Sequence, residues 1–262
     1  MANTTNSNQL IEACIPIKEE LKRVKIINRD LASSYRRFSN IAMPEAYQVG
    51  DKFHVVKLLL DAQQSVRIGE KNKINTEKRT VHEAFKKKEK EREKKCQKTG
   101  KQYKKQKFEY NEKILSNGET RSELLTRSKY LLYKFPEQWN KKQEYRSKIL
   151  FSEFPKLEQT YHISCNFRDW YSKKNIGSHE LFLEKGLYQW YEDVEISGIT
   201  ELMNFSSTVE RNQKYILNYF YNNGASNAKA ENKNGQIKKF INSNQGTRDR
   251  DFFFFRLTKY FT

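Results

Sequence analysis

The period of the apolar positions changes along the chain, and the changes mark its elements. Residues 1–10 are polar and are expected to fray. A β-branched run, Val24 to Ile27, reads as a short strand that closes on Asn28, Arg29 and Asp30. From there Leu31, Tyr35, Phe38 and Ile41 recur at helical spacing, and Pro44 stops the pattern. Ala46 to Val49 reads as a second short strand, closed by Gly50 and Asp51. Residues 53–68 are apolar at 55, 56, 58, 59, 62 and 66, an amphipathic helix. Strand, helix, strand and helix at this spacing predict a right-handed parallel crossover. Asp30 and Asp51 then end neighbouring parallel strands, at the edge where open α/β sheets hold their ligands.

Residues 69–221 carry no strand pattern and no internal repeat, and read as helical. A turn is expected at Ser116, Asn117 and Gly118, with breaks near Pro136, Pro155, Gly177 and Gly198. Tyr130, Tyr133, Trp139, Trp170, Trp190 and Tyr191 are spaced as core anchors rather than as a binding box. Asn222 to Asn227 reads as a turn and cap, and 228–242 as a helix. On that helix Glu231, Asn234 and Lys238 share one face, while Ala230, Ile237 and Ile241 form the other. After Gly246, Phe252 to Phe255 fit a strand or a buried helix, with helix preferred.

Composition adds a partner. The 262 residues include 50 Lys and Arg against 32 Asp and Glu, a net charge of +18. Such an excess points to a polyanion. Aromatics make up 13%, enough for a core despite only 36% hydrophobic residues. An AT-rich genome also yields abundant Lys, Asn, Ile, Phe and Tyr, but it does not explain clustering. Residues 86–107 hold twelve Lys and Arg against three Glu, half of the chain's net charge. Lys86, Lys87, Lys88, Lys94, Lys95, Lys104 and Lys105 are therefore candidate DNA-phosphate contacts, with Lys238 and Lys239 on the later helix. A solvated charged helix is the plainer alternative. Cys14, Cys96 and Cys165 form no disulfide or zinc pattern, which suits a reducing cytoplasm. No apolar run approaches the roughly 20 residues of a membrane span.

The candidate chemistry lies in carboxylates. No glycine-rich phosphate loop, nucleophile elbow or HExxH metal motif occurs. Asp30 and Asp51 each stand where an Asp ordinarily caps a helix. Side by side they would repel, and a divalent cation would hold them together. His54 follows Asp51 by three residues and can hydrogen-bond it. Glu231 lies one residue beyond the capping-box position set by Asn227, so capping does not account for it.

Six blocks carry a family resemblance. Asp51 to Leu58 (DKFHVVKL) is similar to the D-[RK]-F-H-V-x-K-L block of bacterial insertion-sequence DDE transposases of the ISL-three type. Ile26 to Tyr35 resembles that family's strand ending in Asp, followed by a small-residue helix start. Arg127 to Lys134 (RSKYLLYK), Trp190 to Gly198 (WYEDVEISG), Asn227 to Lys238 (NAKAENKNGQIK) and Phe252 to Phe261 resemble later blocks in the same order. The resemblance implies an α/β, incomplete ribonuclease-H-like core with a large all-α insertion, mostly helical overall. Segments 22–68 and 222–262 would form the core, 69–221 the insertion and 1–21 a frayed remnant. By position Asp30 and Glu231 would be catalytic and metal-binding, with Asp51, His54 and Asn234 supporting.

The resemblance also implies Mg2+ or Mn2+ as cofactor and DNA, both insertion-sequence ends and target, as partner. It implies a bacterial, nucleoid-associated protein that is a candidate homo-oligomer, with no membrane and no small-molecule substrate. The family's first catalytic Asp has no counterpart here, since Glu12, Glu19 and Glu20 are the only acids before Asp30. The chain is therefore expected to be a transposase fragment with negligible strand transfer by itself. Its alternatives are a catalytically dead, basic DNA-binding or dimerising remnant.

Overall fold

The computed structural model describes residues 6–243 and 249–261. The order is α1 (Ser7–Ala13), α2 (Lys18–Leu21), β1 (Ile26–Arg29), α3 (Ser33–Ala42), β2 (Tyr47–Gly50) and α4 (Lys52–Thr99). Then follow α5 (Arg121–Arg127), α6 (Lys141–Glu153), α7 (Pro155–Trp170), α8 (Glu180–Ser197) and α9 (Thr200–Arg211). The last are α10 (Gln213–Tyr221), α11 (Ala228–Ser243) and α12 (Arg250–Phe261). The chain is mostly helical, with one two-stranded sheet among the described residues. No helix there is long and apolar enough to cross a membrane. The contacts divide it into two units, Met1–Val55 with Lys173–Ser178 and Asn212–Thr262, and Val56–Ser172 with His179–Arg211.

In the first unit β1 and β2 pair in parallel, from Ile26 opposite Tyr47 to Arg29 opposite Gly50. The first strand lies two residues later than the β-branched run suggests. Its ladder starts where the Tyr47 N–H donates to the Lys25 carbonyl and ends where the Asp51 N–H donates to that of Arg29, both at 2.8 Å. Helix α10 packs on β2, and the Asn218 amide donates to the Gln48 carbonyl at 2.8 Å. Gly50 permits that approach, because a Cβ there would stand 3.5 Å from the Tyr215 carbonyl and 3.2 Å from Leu31. The opening segment is helical from Ser7 rather than frayed. Asn6 caps it by accepting from the Asn8 N–H, and α1 packs on α3.

Helix α11 occurs as expected but turns a different face inward. Ala230 and Ile241 are exposed, and Phe240 is buried against the rings of Phe253 and Tyr260 on α12. The helical alternative for the Phe run holds. Gly246, which precedes that run, lies outside the described residues.

In the second unit the helix expected to end at 68 continues to Thr99. Residues 69–99 contain no Pro and one Gly, and are rich in strong helix formers. The stop is Gly100, whose φ of +66° suits a glycine after a helix C-terminus. Residues 101–113 are not helical, which corrects the all-helical reading of 69–221. Beyond them an isolated antiparallel bridge joins Ile114 and Thr120 around the expected turn.

Helices α5 to α9 bury an aromatic core. The Phe167 ring lies 4.7 Å from Trp190, 5.3 Å from Phe205 and 5.4 Å from Trp170. The indoles are satisfied, Trp170 donating to the Leu183 carbonyl and Trp190 to that of Ile163, both at 3.0 Å. Gly186 makes room for Trp170, since a Cβ would come within 2.8 Å of the indole. Tyr130 is no anchor, being 70% exposed. Glu119 is buried where Arg127 and Arg146 converge at 3.0 and 2.8 Å. Burial alone would push its carboxyl up, but the bonds from Arg146 and Arg127 outweigh it and hold the group below the ordinary carboxylate range.

Candidate functional site

Parallel pairing puts Asp30 and Asp51, the residues just after β1 and β2, at one sheet edge. His54, in the first turn of α4, lies between them. Its Nδ1 is 2.9 Å from Asp30 Oδ1 and 2.6 Å from Asp51 Oδ2. A carboxylate accepts, so the hydrogen bond to Asp51 puts the proton on Nδ1 while no cation is bound; a cation held by the same nitrogen would displace that proton. Among the described residues these three form the one group of acids, His or Cys close enough to hold a metal ion, with ligand atoms within 4.8 Å of one another. The group brings two carboxylates to one place beside a ring nitrogen. The carboxylates' charge and oxygen donors suit a hard divalent cation, with the ring nitrogen as a further donor. The donor set therefore fits the implied Mg2+ or Mn2+.

The capping alternative separates the two acids. Asp51 caps α4, accepting from the Phe53 N–H at 3.3 Å, and is buried. Asp30 does not cap α3: the cap position is Ala32, with no side-chain bond. Nothing in the local helix requires a carboxylate at 30.

The surroundings of β1 are polar and partly buried. Asn28 donates to the Ala225 carbonyl at 3.0 Å, tying the strand to the turn before α11. Asn227, four residues before Glu231, lines a cavity of about 270 Å³ together with Asn28, Arg29, Asp30 and Tyr35. Glu231 itself is exposed, one turn into α11, and is not a member of the close ligand group. Asn234, Lys238 and Lys239 are exposed on the same helix.

Two cations near the edge escaped the sequence reading. Arg29 is buried, with Nε on Gln48 at 2.8 Å, Nη1 on the Asp30 carbonyl at 3.0 Å and its plane over Tyr215 at 4.4 Å. Burial pushes its guanidinium down from the ordinary value, and it stays charged at neutral pH. Lys52, beside Asp51, lies 5.0 Å from the Tyr219 ring centroid, and burial lowers its ammonium too. A charged residue inside a strand pattern was the available signal at 29; position 52 offered none.

The basic segment is not one helix. Lys86, Lys87, Lys88, Lys94 and Lys95 lie on α4, whereas Lys104 and Lys105 lie on the irregular segment after it. All seven are exposed.

No curated protein and no solved structure matches the chain. A family model described as transposase, of the DDE type and ISL-three branch, matches residues 2–257. Such a family has DNA as its partner and depends in general on a divalent metal. With nearly its whole length matched, the chain belongs to the ISL-three family of DDE transposases.

Proposed function

We propose that Asp30, Asp51 and His54 hold a divalent cation, Mg2+ or Mn2+, for the cleavage and transfer of DNA strands in insertion-sequence transposition. The observation that carries this is the meeting of the three side chains at the carboxyl edge of two parallel strands, with Nδ1 2.9 and 2.6 Å from the two acids. That Asp30 caps nothing supports a role outside folding. The sheet is read as part of a ribonuclease-H-like core, with Glu231 as the last acid of the family's pattern and Asn234 beside it. When bound, the cation polarises a phosphoryl oxygen and activates the attacking hydroxyl or water.

The protein's own groups have separate tasks. Asp51, fixed by its cap bond and its burial, orients His54. His54 offers Nδ1 at the point between the two acids, as a nitrogen ligand once its proton is displaced. Asp30, more open than Asp51, is the acid through which a bound cation would stay accessible to a phosphate from solvent. Lys238 and Lys239 on α11 and the lysines of 86–107 hold the DNA backbone without reading its sequence.

A binding assay tests this. Mn2+ should tighten the affinity of the protein for duplex DNA at least about tenfold, because a cation shared by protein and phosphate adds on the order of 1.4 kcal/mol or more. Asp30→Asn should lose that gain and keep the salt-dependent binding measured in chelator. An equal Mn2+ response in Asp30→Asn, or none in the native chain, would remove the proposal.

A further inference from the structure

Three acids are buried among the described residues: Asp51, Glu119 and Glu89. The first belongs to the metal-binding group and the second to an arginine pair. Glu89 is the unexplained one, because it lies within the most basic stretch of the chain.

After Gly100 the chain turns and runs back along α4. The Lys101 N–H donates to the Cys96 carbonyl at 3.1 Å. The Tyr103 hydroxyl donates to Glu89 Oε2 at 2.6 Å, and the Gln106 N–H donates to the same oxygen at 3.0 Å. Arg92 bonds the other oxygen. Farther back, the Phe108 ring packs 4.4 Å from His82 and 5.4 Å from Phe85. Lys78 lies 5.6 Å from the Tyr110 ring centroid. At 3.6 residues per turn, positions 78, 82, 85, 89 and 96 fall along one side of α4. Residues 101–113 are thus a strap over that side.

The covered side is the one without lysines between 82 and 96. Lys87, Lys94 and Lys98 fall on the opposite side, with Lys86 and Lys90 on one flank and Lys88 and Lys95 on the other. The strap sets Lys101, Lys104, Lys105 and Lys107, all exposed, over the bare side. The side that carries His82, Phe85, Glu89 and Arg92 thus gains four lysines from the strap. Of the three Glu in 86–107, Glu89 alone is buried, in the joint, while Glu91 and Glu93 stay exposed. The bonds from Tyr103 and the Gln106 N–H hold the Glu89 carboxyl below its ordinary range, and Glu89 in turn pushes the Tyr103 phenol up to about 12.

We infer that Glu89 is a positioning residue, a latch that seats the 101–113 strap so that strap and α4 lysines together grip the phosphates of duplex DNA. The inference rests on the reading that this arm contacts DNA and adds which acid organises it. Its consequence runs against simple charge counting. Removing a carboxylate from a DNA-binding surface ordinarily tightens binding. Here it frees the strap and disperses four lysines.

The experiment is a salt titration of duplex DNA affinity in chelator, so that the metal site plays no part. It compares the native chain with Glu89→Ala, Tyr103→Phe and the combined Lys104→Ala, Lys105→Ala, Lys107→Ala variant. Tyr103→Phe keeps the ring and the net charge and removes one bond to Glu89. Glu89→Ala should weaken binding at least about fivefold and lower the salt slope by about 2, as expected if two phosphate contacts are lost. Tyr103→Phe should shift both in the same direction, and the lysine variant should match or exceed Glu89→Ala. Trypsin should cut after Lys104 and Lys105 faster in both latch variants. Glu89→Ala binding as tightly as the native chain, or more tightly, would overturn the latch while the lysine variant still reported on the arm. If the lysine variant also bound unchanged, the arm would not be a DNA contact and the inference would fall with that reading.

Discussion

Asp30→Asn is expected to leave the melting temperature of the metal-free protein unchanged and to abolish its rise with Mn2+. The first half follows from position. Asp30 caps no helix, is partly exposed, and stands next to a second carboxylate that it repels. Replacing it removes a negative charge but keeps a carbonyl oxygen that can accept from His54, and the closer bond, to Asp51 at 2.6 Å, is untouched. The net cost should stay within about 0.5 kcal/mol. The second half follows from linkage. A cation at a hundredfold excess over its Kd stabilises the native state by about 2.7 kcal/mol. For a chain of this size that is roughly 5–10 °C. Asp51→Asn should lose the same response and also destabilise the metal-free protein by about 1 kcal/mol, since a buried charge-assisted bond to His54 becomes a neutral one, while Asn keeps the α4 cap. Melting curves of the three proteins with and without Mn2+ distinguish these outcomes. A full Mn2+ shift in Asp30→Asn would show that the cation binds elsewhere.

Phe167→Ala should be the most damaging single core change in the helical unit. Its ring is fully buried and meets Trp170, Tyr171, Trp190 and Phe205 from three helices. Truncation removes the transfer energy of the ring and leaves a cavity walled by aromatics. Both indoles around it are held by hydrogen bonds to carbonyls, so they cannot slide in to fill the space. The expected loss is about 3–5 kcal/mol. Calorimetry or chemical denaturation would register it; a loss under about 1 kcal/mol would mean that the core relaxes around the gap.

The parallel strand pair, α3 and the first half of α4 were readable because local period and chain breakers coincided there. Val49 and Val55 are buried as that pattern requires. The juxtaposition of Asp30 and Asp51 followed from topology alone, since equal positions at the ends of parallel neighbours must be close. The extension of α4 to Thr99 was hidden because 75–99 has only Val81, Ala84, Phe85 and Cys96 as apolar positions, too few to mark a face; it is helical through propensity and Lys–Glu neighbours. The strap was hidden for another reason. Its anchors are one acid, one phenol and one Phe ring spread over 82–110, and such long-range pairings leave no period. Ile241 was assigned inward by spacing, yet Phe240 fills that place, because the ring of a partner helix outweighs a regular pattern.

The most direct check of the metal site is pulsed electron paramagnetic resonance of the protein titrated with Mn2+. One tightly held ion per chain is required, with a nitrogen coupling from an imidazole that vanishes in His54→Phe and no tight ion at all in Asp30→Asn. A tightly bound Mn2+ with no nitrogen coupling, or one that persists unaltered in both variants, would place the cation outside the Asp30, Asp51 and His54 group and refute the site.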